Sequence, residues 1–120
     1  MSDISQQLIE QIEDASAEGR SFNIVGRNSK SFYGRHAQGD TLDVSGHAGI
    51  VNYQPNELVM TVRAGTSIAS ITQALSEQGQ MLSFEAPEFG GDASIGGTLA
   101  CNQSGPARPW RGSIRDMVLG

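Results

Sequence analysis

Cysteine is almost absent. Cys101 is the one thiol in a chain of 120 residues, so no intrachain disulfide can form, and a reducing cytoplasm is the simplest compartment. No metal-ligand spacing surrounds Cys101, and without a partner thiol it reads as a small packed side chain rather than a redox centre. Long apolar runs are missing too. Nothing approaches the roughly 20 apolar residues of a membrane span, and the polar opening Met1-Ser2-Asp3, with acids at Glu10, Glu13 and Asp14, is no secretory signal. Basic residues are few, 8 against 13 acids for a formal charge of -5. That excludes a general nucleic-acid binder, because counterion release needs Lys and Arg clustered over a wide face. No Gly-x-Gly-x-x-Gly follows any strand-like run, which removes the usual dinucleotide fingerprint. Repeats and low-complexity tracts are absent as well.

What remains is distributed unevenly. No acid lies between Gly19 and Gly39, where Arg20, Arg27, Lys30 and Arg35 stand, and a second acid-poor cluster holds Arg108, Arg111 and Arg115. Two local positive zones in an acidic chain suit a small anionic ligand better than a polymer. Glycine is abundant, 15 residues, and concentrated between Glu85 and Gly120, where Gly90, Gly91, Gly96, Gly97, Gly105, Gly112 and Gly120 alternate with Ser94, Thr98, Asn102 and Ser104. Such backbone reads as main chain brought close to a large planar cofactor, glycine being needed where a Cβ would block the approach. Taken alone it also reads as an irregular surface loop.

Taken in order, Ile4, Leu8 and Ile12, with Ile9 and Ala15 beside them, predict an amphipathic helix over 4–18 capped by Asp3 and closed by Gly19. Strands are expected at 22–25, 41–45, 50–53 and 58–63, with 46–49 as a tight turn and a local, hairpin-like pairing. Ser67 caps a second helix whose face is Ile68, Ile71, Thr72 and Leu75 and which Gly79 ends; Met81–Phe84 is read as a last strand. This order predicts an α+β fold, helices packed on small mixed sheets. After the strand at 22–25, the loop Arg27-Asn28-Ser29-Lys30-Ser31-Phe32 offers backbone amides, two hydroxyls and an ammonium, the donors of a diphosphate nest. Read alone, it is more simply a basic turn. It differs from a triphosphate loop in having Ser29 where glycine is required and in opening no helix. His36 and His47 read as surface or capping residues.

The basic loop, then Thr61-Val62-Arg63-Ala64-Gly65, then Pro87 followed by Ala93-Ser94-Ile95-Gly96-Gly97-Thr98-Leu99-Ala100, then Gly112-Ser113-Ile114-Arg115-Asp116-Met117-Val118-Leu119-Gly120 occur in a telling order. From Phe22 onward the chain resembles the flavin-binding domain of the p-cresol methylhydroxylase (PCMH) and vanillyl-alcohol oxidase superfamily, in particular the FAD-binding subunits of bacterial glycolate oxidases. The resemblance implies two small α+β subdomains with FAD between them, the first over 1–60 and the second over 61–120 and truncated. It implies a diphosphate loop at Arg27, Asn28, Ser29, Lys30, Ser31 and Phe32. Flavin and dinucleotide contacts are implied at Pro87, Glu88, Asp92, Ala93, Ser94, Ile95, Gly96 and Gly97, at Cys101, Asn102, Gln103, Ser104 and Gly105, and at Val118, in a strand beside the adenosine. Relatives that attach FAD covalently use a histidine where Lys30 stands or a cysteine where Asp92 stands, so non-covalent FAD is expected. The implied activity is oxidation of a small 2-hydroxy acid such as glycolate by hydride transfer to flavin N5, with the catalytic groups outside these 120 residues. The implied partners are other subunits of a hetero-oligomer, an iron–sulfur subunit among them, which would bring the chain to the inner membrane peripherally. The alternative is a non-catalytic nucleotide-binding or assembly module with Tyr33, Phe89 and Trp110 as interface anchors.

Overall fold

The computed structural model describes residues 2–88, 90 and 92–120; Phe89 and Gly91, singled out above, lie outside the described residues, as does Met1. Helix α1 (Ser5–Ala17) forms where the 3.6-residue period places it. Its inward stripe is Ile4, Leu8, Gln11 and the buried Ala15, while Ile9 and Ile12 stay 47% and 48% exposed. Asp3 meets the start of the helix through its side chain. Its Oδ1 accepts from the Ser5 amide at 3.0 Å, and Gln6 turns to Glu10. At the other end Gly19 donates to Ser16 O and Arg20 to Ala15 O, the paired bonds of a helix closed by a left-handed residue, and Gly19 has φ +67°. The same pair closes α2 (Ile68–Ser76), where Gly79 at φ +67° and Gln80 donate to Ser76 O and Leu75 O. The two glycine stops expected from the sequence are therefore where they belong.

Strands β1 (Phe22–Val25) and β2 (Asp40–Asp43) pair in parallel, Phe22 opposite Asp40 and Val25 opposite Asp43. Parallel neighbours need a long crossover, and residues 26–39, helix-free throughout, supply it. The basic loop is thereby fixed at the carboxyl end of β1. Strands β3 (Ile50–Gln54) and β4 (Val59–Val62) pair antiparallel around a short 3-10 turn at Pro55–Glu57, with an irregularity between Ile50 and Asn52.

The turn at 46–49 does not join two paired strands. Its backbone is taken by the segment after β4: Arg63 donates to Gly49 O, Gly65 to His47 O, and Gly49 to the Thr66 hydroxyl at 2.9 Å. β2 consequently turns to β1 and β3 to β4. The strand expected at Met81–Phe84 is also missing. No neighbouring strand offers it a ladder among the described residues; Leu82 O is instead met by the Arg111 guanidinium at 3.2 Å and the Glu85 amide by Ser104 O at 3.0 Å.

The glycine-rich stretch contains a helix, α3 (Ile95–Cys101), followed by the single turns α4 (Arg108–Arg111) and α5 (Ile114–Met117). Ile68, Ile71 and Leu75 of α2, with Phe84, Ala93 and Ile114, are buried. Each such Ile or Leu is worth about 1.5–3 kcal/mol once fully buried. The α+β class holds. Among the described residues no helix is long and apolar enough to cross a membrane.

Candidate functional site

The turn Ala64-Gly65-Thr66 is the hub on which the two candidate stretches meet. A side chain at Gly65 would strike Val44 O, Ser45 O and His47 O at 2.6–2.8 Å, so only glycine lets the turn seat in this cup of carbonyls. On its other side the turn receives the foot of α3. Ile95 donates to Thr66 O and Gly96 to Ala64 O, both at 2.9 Å, and Ile68 at the start of α2 donates to Ala93 O at 2.9 Å. Ser94 caps α3 through its hydroxyl, which accepts from the Gly97 amide at 3.1 Å. Thr98, wholly buried, returns its hydroxyl to Ser94 O at 2.9 Å.

The close approach implied by the paired glycines is present at Gly96, toward the chain itself. A Cβ there would lie 2.8 Å from Ala64 O and 2.9 Å from Ala64 Cβ. The first-turn amides of α3 are thus bonded within the protein.

The basic loop lies against this hub. Gly26 packs so near Ser94 that a Cβ would sit 3.1 Å from the capping hydroxyl. Arg27 reaches across, Nη1 to Asp92 Oδ1 at 2.6 Å and Nε to Gly65 O at 3.4 Å. Asn28 adopts a left-handed φ of 60°. Ser29 and Lys30 are half-buried; Lys30 Nζ contacts Ser29 Oγ at 3.4 Å and has no acid partner among the described residues. Ser31 and Phe32 are exposed.

The remaining candidates divide. Ala93 and Ser94 are buried beside the hub, and Ile95 is half-buried. Asn102 ends α3 with φ 49°, and Cys101 is a half-buried free thiol. Ser104 is committed to structure: its carbonyl takes the Glu85 amide and its hydroxyl the Ile114 amide, both at 3.0 Å. Gly105 packs on Glu85. Gln103 Oε1 is buried with no hydrogen-bond partner among the described residues. Pro87 is half-buried, while Glu88 is exposed and lines an open concavity of about 710 Å³ shared with α2, Leu82, Phe84 and Arg111. None of the loop residues 27–32 lines that concavity. The strand expected at Val118 is absent; Val118 is an extended residue after α5, 43% exposed. Its helix is held by the Asp116 carboxylate, which accepts from the Ser113 hydroxyl at 2.7 Å and lies below the usual carboxylate range through that bond first, the Ser113 amide second and the nearby Arg115 and Arg108 charges after.

Two pairings lie beyond the reach of local spacing. Asp92, expected among the cofactor contacts, pairs with Arg27 across 65 residues, a distance no local pattern encodes. His47, expected on the surface or at a cap, meets the N-cap residue of α1. It is half-buried, and its Nδ1 accepts from the Ile4 amide at 3.4 Å and lies 3.7 Å from Asp3 Oδ1, beside the Arg63–Asp3 pair at 3.0 Å.

The cation Lys30 and the hydroxyls of Ser29 and Ser31 thus follow the parallel strand β1, beside the glycine-packed foot of α3. Residues 4–120 match the FAD binding domain family, and the chain belongs to it. More particularly, the chain is similar to glycolate oxidase subunit GlcE of Escherichia coli (strain K12), with 52% identity over 118 residues, covering 98% of this chain and 34% of that protein. The chain therefore spans about a third of that relative's length. No solved structure matches it.

The residues present fit FAD. Lys30, Ser29 and Ser31 have the chemistry that diphosphate oxygens require, and Gln103 offers a buried amide oxygen that no group among the described residues satisfies, an acceptor for a flavin or ribose donor.

Proposed function

We propose that this chain is the nucleotide-anchoring part of a flavoprotein subunit that oxidises glycolate or a similar 2-hydroxy acid within a hetero-oligomer, holding FAD non-covalently. The observation that carries the reading is 52% identity to a glycolate oxidase subunit across 98% of the chain. Bound FAD supplies acceptance of a hydride at N5 from the substrate carbon. The protein's own part is to fix that group. Lys30 and the hydroxyls of Ser29 and Ser31 hold the diphosphate, and the segments 92–97 and 101–105 border the rings and sugar. Lys30 and Asp92 occupy the positions at which relatives form covalent bonds, and neither side chain forms the corresponding linkage. The two subdomains, 1–60 and 61–120, then meet at the cofactor. The catalytic groups are supplied outside these residues, electrons pass onward through partner subunits including an iron–sulfur subunit, and the assembly resides in the cytoplasm or peripherally at the inner membrane. The test is purification of the full-length subunit with its partners. A yellow protein that releases FAD under mild acid, and whose flavin bleaches on anaerobic addition of glycolate, is expected; a colourless, folded complex would end the reading.

A second reading, an assembly module, draws on Trp110, 84% exposed between Arg108 and Arg111, and on Tyr33, 55% exposed. The two readings separate on paired variants. Loss of flavin with the complex intact in Lys30→Ala supports the enzyme reading, and loss of the complex with flavin retained supports the module.

A further inference from the structure

We infer that Arg27 and Asp92 form a positioning pair that braces the basic loop against the foot of α3, leaving Lys30 as the cation presented to the diphosphate. The inference rests on the FAD-binding reading above and reassigns two residues within it. Two edges of the Arg27 guanidinium are already engaged, Nη1 by Asp92 Oδ1 at 2.6 Å and Nε by Gly65 O at 3.4 Å. A guanidinium so held has its charge offset by a carboxylate and its fork turned toward protein. Among the described residues, by contrast, the one side-chain hydrogen bond of Lys30 is to the Ser29 hydroxyl, at 3.4 Å.

The pair also joins three segments remote in sequence: the loop after β1, the hub turn at Gly65 and the residues before α3. Gly26 shows how closely they meet, since a Cβ there would lie 3.1 Å from Ser94 Oγ. Asp92 is 60% exposed, so the pair is a brace and not a core bridge. Its ionic strength alone is modest. Removing Arg27 does two things, releasing the loop and leaving the Asp92 carboxylate unopposed next to a dianionic ligand. Removing Asp92 releases the loop together with the Arg27 charge and leaves no carboxylate facing the ligand.

This ordering gives a test that a phosphate-binding Arg27 cannot imitate. The full-length subunit in its complex is stripped of flavin, and FAD and riboflavin affinities are measured by quenching of flavin fluorescence for the wild type, Asp92→Ala, Arg27→Ala, the double alanine variant and the swap Arg27→Asp with Asp92→Arg. Asp92→Ala is expected to weaken FAD by up to about fivefold, the upper end for a part-exposed ion pair. Arg27→Ala weakens it further, the double variant recovers to the level of Asp92→Ala, and the swap returns to within about twofold of the wild type. Riboflavin, which has no diphosphate, is unaffected throughout. The brace is overturned if Asp92→Ala tightens FAD binding by freeing Arg27, or if the swap binds as poorly as Arg27→Ala. A wild-type complex that takes up no flavin at all removes the functional reading, and the brace with it; a wild type that binds while the swap fails removes the brace alone.

Discussion

Replacing Gly96 by alanine sets two effects of opposite sign against each other. In an uncrowded helix Gly→Ala stabilises by about 1 kcal/mol, because alanine loses less backbone freedom on folding. Gly96 lies within α3, and were its surroundings open the substitution would be favourable. They are not open: the new Cβ would sit 2.8 Å from Ala64 O, 2.9 Å from Ala64 Cβ and 3.3 Å from Ala64 C. The obstructing atoms belong largely to backbone, and that backbone is held by the Gly96 amide to Ala64 O bond at 2.9 Å. Relieving the clash means moving α3 off the hub turn. Overpacking of this kind costs about 1–3 kcal/mol, and the lost backbone hydrogen bond adds about 1 kcal/mol. Less the propensity gain, Gly96→Ala should destabilise by about 1–3 kcal/mol. Gly97→Ala is the control. Its Cβ meets only the Ser94 hydroxyl, at 3.1 Å, so crowding is slight and stability should stay within about 1 kcal/mol of the wild type. Urea midpoints of the full-length subunit, followed by circular dichroism, compare the two. A Gly96→Ala variant as stable as the wild type, or more so, would refute the seating of α3 on Ala64.

Lys30→Ala should weaken FAD binding by about tenfold or more, the worth of one charge-assisted hydrogen bond, with an unchanged urea midpoint in the flavin-free protein. Unchanged FAD affinity would take Lys30 out of the site. Ser94→Ala should cost about 1 kcal/mol through the lost cap on the Gly97 amide, read as a lower urea midpoint; Ser94→Gly should cost less. The folded-state pKa of Asp116 is lowered from 3.8 by the Ser113 hydroxyl and amide, so its stabilising effect is complete above the ordinary carboxylate range and is lost as pH falls through the lowered value. Asp116→Asn should therefore unfold at a lower temperature than the wild type at pH 7, with the gap closing below about pH 3.8; a pH-independent gap would contradict the cap.

Short-range features of this chain were written in its sequence. The period of Ile4, Leu8 and Ala15, the Ser67 cap, the stops at Gly19 and Gly79 and the β-branched run before Arg63 each involve residues within a few positions of one another, whose bonds close inside one turn or strand. The ordered motifs likewise sufficed to place the chain in the FAD binding domain family. Tertiary structure decided the rest, because the deciding partner stands far away in the sequence. Strand β2 abandons the neighbouring turn for β1 because residues 63–66 occupy the amides and carbonyls of 47–49. Residues 81–84 stay irregular for want of a strand to pair with, their carbonyl taken by Arg111. Ile95–Cys101, glycine-rich and with only Ile95 and Leu99 at helical spacing, becomes a helix because Ala64 and Thr66 offer carbonyls to its first amides. The meeting of Arg27 with Asp92 follows from the same convergence, since a salt bridge across 65 residues leaves no trace in local spacing and forms only once the hub turn has drawn both segments together.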